Sequence, residues 1–98
     1  MGLNNILEKV QFLLEASKNK TDSPDVISTI DSLTIEHTDD MITGRFFGYS
    51  VSDYAIAALK WIGTTESEKL YSEKYEKLSD KRKKDIENLV SKKLYLEL

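Results

Sequence analysis

Glu36-His37-Thr38-Asp39-Asp40 places the chain's single histidine among three carboxylates. An imidazole beside carboxylates is the composition of a proton-transfer centre or a divalent-metal site. The spacing argues against both. Consecutive residues point in different directions on a helix, and there is no cysteine and no second histidine to complete a transition-metal cage. A solvated acidic turn is the expected reading, with no metal and no cofactor.

Other catalytic patterns are missing from the sequence. There is no Gly-x-Ser-x-Gly elbow, and Gly2, Gly44, Gly48 and Gly63 form neither a phosphate loop nor a dinucleotide fingerprint. The chain is therefore not expected to be an enzyme. Lys81-Arg82-Lys83-Lys84 is the one basic run. Asp80 and Asp85 flank it and Glu87 follows within ion-pair reach, so it reads as a solvated helix face, not as a nucleic-acid contact.

The elements that carry these residues are helical by pattern. Leu3, Ile6, Leu7, Val10, Leu13 and Leu14 form one stripe, closed by Asn19-Lys20-Thr21-Asp22. Ser23-Pro24-Asp25 has the cap, proline and early acid of a second helix start, with Val26, Ile27, Ile30 and Leu33 as its buried stripe. Residues 34–49 are open to two readings. Thr34-Ile35-Glu36-His37-Thr38, turning at Asp39-Asp40 into Met41–Phe47, would give a hairpin. The favoured alternative is a short helix capped by Thr38, carrying Met41, Ile42, Arg45 and Phe46 and ended by Gly48.

Ser50 with Asp53 resembles a capping box opening an apolar helix, which Gly63 ends. Only Ser52, Asp53 and Lys60 are strongly polar there, so it should be the most buried element. Thr65-x-x-Glu68 is a second capping box, ahead of Leu70, Tyr71, Tyr75 and Leu78. Ser79-Asp80 opens the last helix, whose apolar face draws on Ile86, Leu89, Val90, Leu94 and Leu96. The expectation is one all-α domain, residues 1–98, of about six short helices packed as antiparallel pairs.

Composition sets the bounds. Ninety-eight residues, 40% hydrophobic and 32% charged, suit one globular domain with a modest core. No apolar run approaches the roughly 20 residues of a membrane span, and no secretory signal is apparent, so a cytoplasmic location is expected. The net charge of −3 disfavours general nucleic-acid or membrane binding. Its distribution is uneven: residues 22–53 hold seven acidic residues against Arg45 alone, a local −6.

Val51-Ser52-Asp53-Tyr54-Ala55-Ile56-Ala57-Ala58-Leu59-Lys60-Trp61-Ile62-Gly63 resembles the second helix of a HEAT-like repeat, Val-Arg-x-x-Ala-x-x-Ala-Leu-x-x-Ile-Gly. Ser52 departs from the usual arginine, and Gly48-Tyr49-Ser50 lacks the family's Asp/Pro-rich turn. Apolar anchors recur about 30 residues apart, although the third set fails at Lys93. The resemblance implies a stacked-helix scaffold for protein binding. By analogy the chain also resembles small acidic bacterial immunity proteins, which neutralise a cognate toxin.

Phe46, Phe47, Tyr49, Tyr54 and Trp61 border the acidic segment. Aromatic anchors ringed by carboxylates suit a basic protein surface. The expected function is thus a non-catalytic module that docks its acidic face, residues 22–53, on a basic partner such as a toxin or nuclease. Glu36, Asp39, Asp40, Phe47 and Tyr49 are the expected contacts. The alternative is a structural or adaptor subunit that self-associates or joins a larger assembly.

Overall fold

In the computed structural model, residues 6–34, 45–46 and 49–97 are described. The elements run α1 (Ile6–Asn19), α2 (Pro24–Thr34), β1 (Arg45–Phe46), β2 (Tyr49–Ser50), α3 (Val51–Ile62), α4 (Thr65–Glu76) and α5 (Asp80–Lys92), then a 3-10 turn at Leu94–Glu97. The all-α expectation holds in its coarse form. Among the described residues there are five α-helices, where the sequence reading counts about six.

The difference lies at residues 45–50. The favoured short helix would run through Arg45 and Phe46. These two residues instead pair antiparallel with β2, Arg45 opposite Ser50 and Phe46 opposite Tyr49. The cap of the next helix supplies the reason. To cap α3, Ser50 must be extended, at φ −79° and ψ 165°, and that extension offers Arg45–Phe46 a strand to pair with. The rest of that reading, residues 35–44 with His37, lies outside the described residues.

Packing is organised around α3, on which α1, α2, α4 and α5 all lie, while the 3-10 turn returns to α1. Every residue of α3 except Lys60 is buried, as its composition foretold. Ala55, Ala57 and Ala58 are wholly inaccessible and let neighbouring helices approach closely. The larger side chains fill the gaps: Val10 and Leu13 from α1, Ile30 from α2, and Ile86 and Leu89 from α5 are almost completely buried. Each such burial contributes about 1.5–3 kcal/mol, so α3 is where the fold is most sensitive to substitution.

The helix ends follow their local chemistry. Gly63 ends α3 at φ 70°, a conformation that costs glycine little. The box opening α4 is one residue earlier than its sequence pattern suggests. Thr64 is the cap, its Oγ1 accepting from the Ser67 N–H and the Ser67 Oγ accepting from the Thr64 N–H at 3.0 Å. Ser67 is buried, and Glu68 instead pairs with Lys60 at 3.1 Å. Ser79 caps α5 as expected. Past α5, Lys93 at φ 48° redirects the chain, leaving Leu96 69% exposed and not on the last helix's apolar face.

Candidate functional site

Two polar residues lie inside the most apolar helix, and their partners define the centre of the molecule's polar chemistry. The Ser52 hydroxyl donates to the Thr34 carbonyl at 2.6 Å, tying the last residue of α2 to the first turn of α3. Arg82, in the first turn of α5, reaches across. Its Nη2 donates to Asp53 Oδ1 at 2.6 Å and to Ser52 Oγ at 3.2 Å. Asp53 Oδ2 in turn accepts the Ser50 N–H at 3.2 Å, completing the capping box.

Electrostatics explains why this network is tolerated. The Asp53 carboxylate is only 7% exposed, a position that is costly for an unpaired charge. It sits at the positive end of α3 and is matched by a guanidinium and a backbone N–H. Sequence reasoning gave Asp53 a capping role and took Arg82 for part of a solvated basic run. The missed signal was a carboxylate inside an otherwise apolar helix, which requires a cation from elsewhere in the fold.

A second member of the basic run is also engaged. Lys83 Nζ lies 5.5 Å above the Tyr75 ring, which stacks on Tyr71 at 5.4 Å and 14°, while Lys60 lies 5.5 Å above Tyr71. This stack links α3, α4 and α5 on the surface through aromatic and cation–π contacts.

Of the five expected contacts, Tyr49 is described; Glu36, Asp39, Asp40 and Phe47 lie outside the described residues. Tyr49 is half-buried, with its ring edge-on to Tyr54 at 6.1 Å and 82°. Tyr54 is fully buried, and burial above all, then Tyr49 and the Asp53 charge, pushes its hydroxyl up to about 12.

The acidic segment is not uniformly a surface. Asp53 is consumed by Arg82, and Asp31 is paired with Lys74 at 2.7 Å. Asp22 and Asp25 are exposed. Among the described residues no group of three or more acidic or histidine side chains is arranged to hold a metal ion, and no helix is long and apolar enough to cross a membrane.

Comparison with protein-family models, with curated proteins and with solved structures finds no match to this chain.

Proposed function

We propose that this chain is a non-catalytic protein-binding module that presents the acidic region around residues 22–53 to a basic partner protein in the cytoplasm. The observation that carries this reading is the setting of Tyr49. Its backbone is fixed in β2 one residue before Ser50, the cap of α3, and its ring is braced against buried Tyr54. An aromatic side chain held this way loses little freedom on binding, the property that makes tyrosine an effective interface anchor. Exposed Asp22 and Asp25 add the charge that would steer a basic surface towards it.

The most concrete form is an immunity-type inhibitor of a nucleic-acid-cleaving toxin, whose substrate cleft must be basic. The resemblance of residues 51–63 to a HEAT-like helix accords with a binding scaffold. In this reading Glu36, Asp39, Asp40, Phe47 and Tyr49 make the contacts.

The test begins with tagged protein as bait in source-cell lysate, followed by an activity assay of any stoichiometric partner. Arrest of a nuclease, with affinity reduced at least about tenfold by Asp39→Lys/Asp40→Lys and by Tyr49→Ala, is the expected result. Unchanged affinity in the charge-reversed variant sinks the acidic-face reading.

A second reading, a self-associating helical subunit, draws on the exposure of Leu96. It requires a light-scattering mass that rises with concentration and falls back in Leu96→Lys.

A further inference from the structure

An open groove of about 170 Å³ runs between the end of α1 and the start of α2, lined by Phe12, Glu15, Ala16, Asn19, Thr21 and Val26. Its apolar floor is Phe12 and Val26, both half-buried against the core, with nearly buried Ala16 between them in the lining. Glu15 is in the lining on the α1 side, and exposed Asp22 and Asp25 are the sequence neighbours of lining Thr21 and Val26 on the other. The volume is below the roughly 300–1,000 Å³ of a small-molecule pocket and suits a single side chain.

Two backbone hydrogen bonds shape the turn that closes the groove. The Thr21 N–H donates to the Ala16 carbonyl at 3.0 Å and the Lys20 N–H to the Ser17 carbonyl at 3.3 Å, with Lys20 left-handed at φ 51°. The Lys20 ammonium donates to the Trp61 carbonyl at the end of α3, 3.1 Å away. Lys18, three residues after Glu15 on α1, is itself engaged in a contact. Among the described residues, no cation is paired with Glu15, Asp22 or Asp25.

We propose that this groove docks a basic segment of a partner protein, one apolar side chain entering between Phe12 and Val26 while flanking lysines or arginines meet Glu15, Asp22 and Asp25. The argument is charge complementarity around an apolar floor. It rests on the basic-partner reading above and adds to it a contact on α1 and α2, remote in sequence from residues 36–49.

The experiment is an amide-shift titration of the full chain with the capped peptide Lys-Arg-Leu-Arg-Lys at physiological salt. Controls are Lys-Arg-Gly-Arg-Lys and Ser-Gln-Leu-Gln-Ser. Saturable shifts centred on Phe12, Ala16, Asn19, Thr21 and Val26 are expected, with binding at least about fivefold weaker for either control. Reversing Glu15, Asp22 and Asp25 to lysine weakens binding about tenfold, whereas reversing Glu66 and Glu73 on α4 does not. Equal binding of the glycine peptide, or shifts centred on α4, overturns the proposal. Peptide binding that persists in Asp39→Lys/Asp40→Lys supports the groove even where that variant sinks the inhibitor reading.

Discussion

The carboxylate of Asp53 is shared between two helices: Oδ1 lies 2.6 Å from Arg82 Nη2 of α5, and Oδ2 accepts the N–H of Ser50, the cap of α3. One side chain thus fixes the start of the central helix and the position of the last one. Removing the cation leaves a nearly buried charge without its partner. Arg82→Met is expected to destabilise the fold by about 2–4 kcal/mol, moderated by the partial exposure of the arginine. Asp53→Asn, which keeps an acceptor for the cap, should cost less, about 1–2 kcal/mol. Urea unfolding of both variants checks the order; an Arg82→Met variant as stable as the parent would show that the pair is dispensable.

Ser52 is 1% exposed and donates to the Thr34 carbonyl. Introducing arginine by Ser52→Arg would force a second guanidinium beside Arg82. A loss of at least about 3 kcal/mol is expected from overpacking and like charge. Ser52→Ala, which removes the hydroxyl donor to the Thr34 carbonyl, should lose about 1–2 kcal/mol. Thermal melts of the two variants would separate these effects, and a tolerated arginine would mean that residue 52 is free to turn outward.

Lys93 holds a left-handed conformation at φ 48°, and its side chain is exposed. A Cβ there costs energy that glycine avoids. Lys93→Gly should therefore stabilise the protein by about 0.5–1 kcal/mol, a rise of roughly 3–6 °C in Tm. A lower Tm would place the lysine's side chain in a stabilising contact that outweighs the backbone strain.

Alkaline stability should depend on Tyr54. Its hydroxyl is raised from 10.0 to about 12, chiefly by burial. Between those values the unfolded chain has released a proton that the folded chain retains, so stability falls as pH rises. The interval corresponds to a loss on the order of 2–3 kcal/mol from this one group. Tyr71 and Tyr75 are also raised, burial first in each case and Glu87 contributing to both, and act with the same sign. Urea midpoints measured from neutral pH to pH 11 should hold level and then fall, with a shallower fall in Tyr54→Phe. An unchanged slope in that variant would assign the effect to other groups.

Much of the helical order was legible in the residues because it depends on local chemistry. The stripe of Val10, Leu13 and Leu14, the Ser50–Asp53 box and the Gly63 stop are each set by neighbours within one or two turns. The frame of the α4 cap was not, because Thr64-Ser67 and Thr65-Glu68 both fit the pattern. Burial of Ser67 and the pull of Lys60 on Glu68 select between them. Arg45 and Phe46 were misread for a related reason. Two residues have little conformational preference of their own, and the strand exists because Tyr49–Ser50 lies alongside.

The candidate surface divides the same way. The sequence by itself determined a helical chain with one nearly all-apolar helix and a concentration of acid between residues 22 and 53. It could not show which of those charges face a partner, since pairing at a distance depends on where helices cross. Tertiary structure alone brought Arg82 to Asp53, Lys74 to Asp31 and Lys20 to the end of α3. Those three crossings, between residues 29 to 43 positions apart, consume two carboxylates of the acidic segment and hold one lysine at the end of α3. Local sequence sets how each helix begins and ends; only the packed fold sets which charges meet, because Coulomb attraction and desolvation act through space and not along the chain.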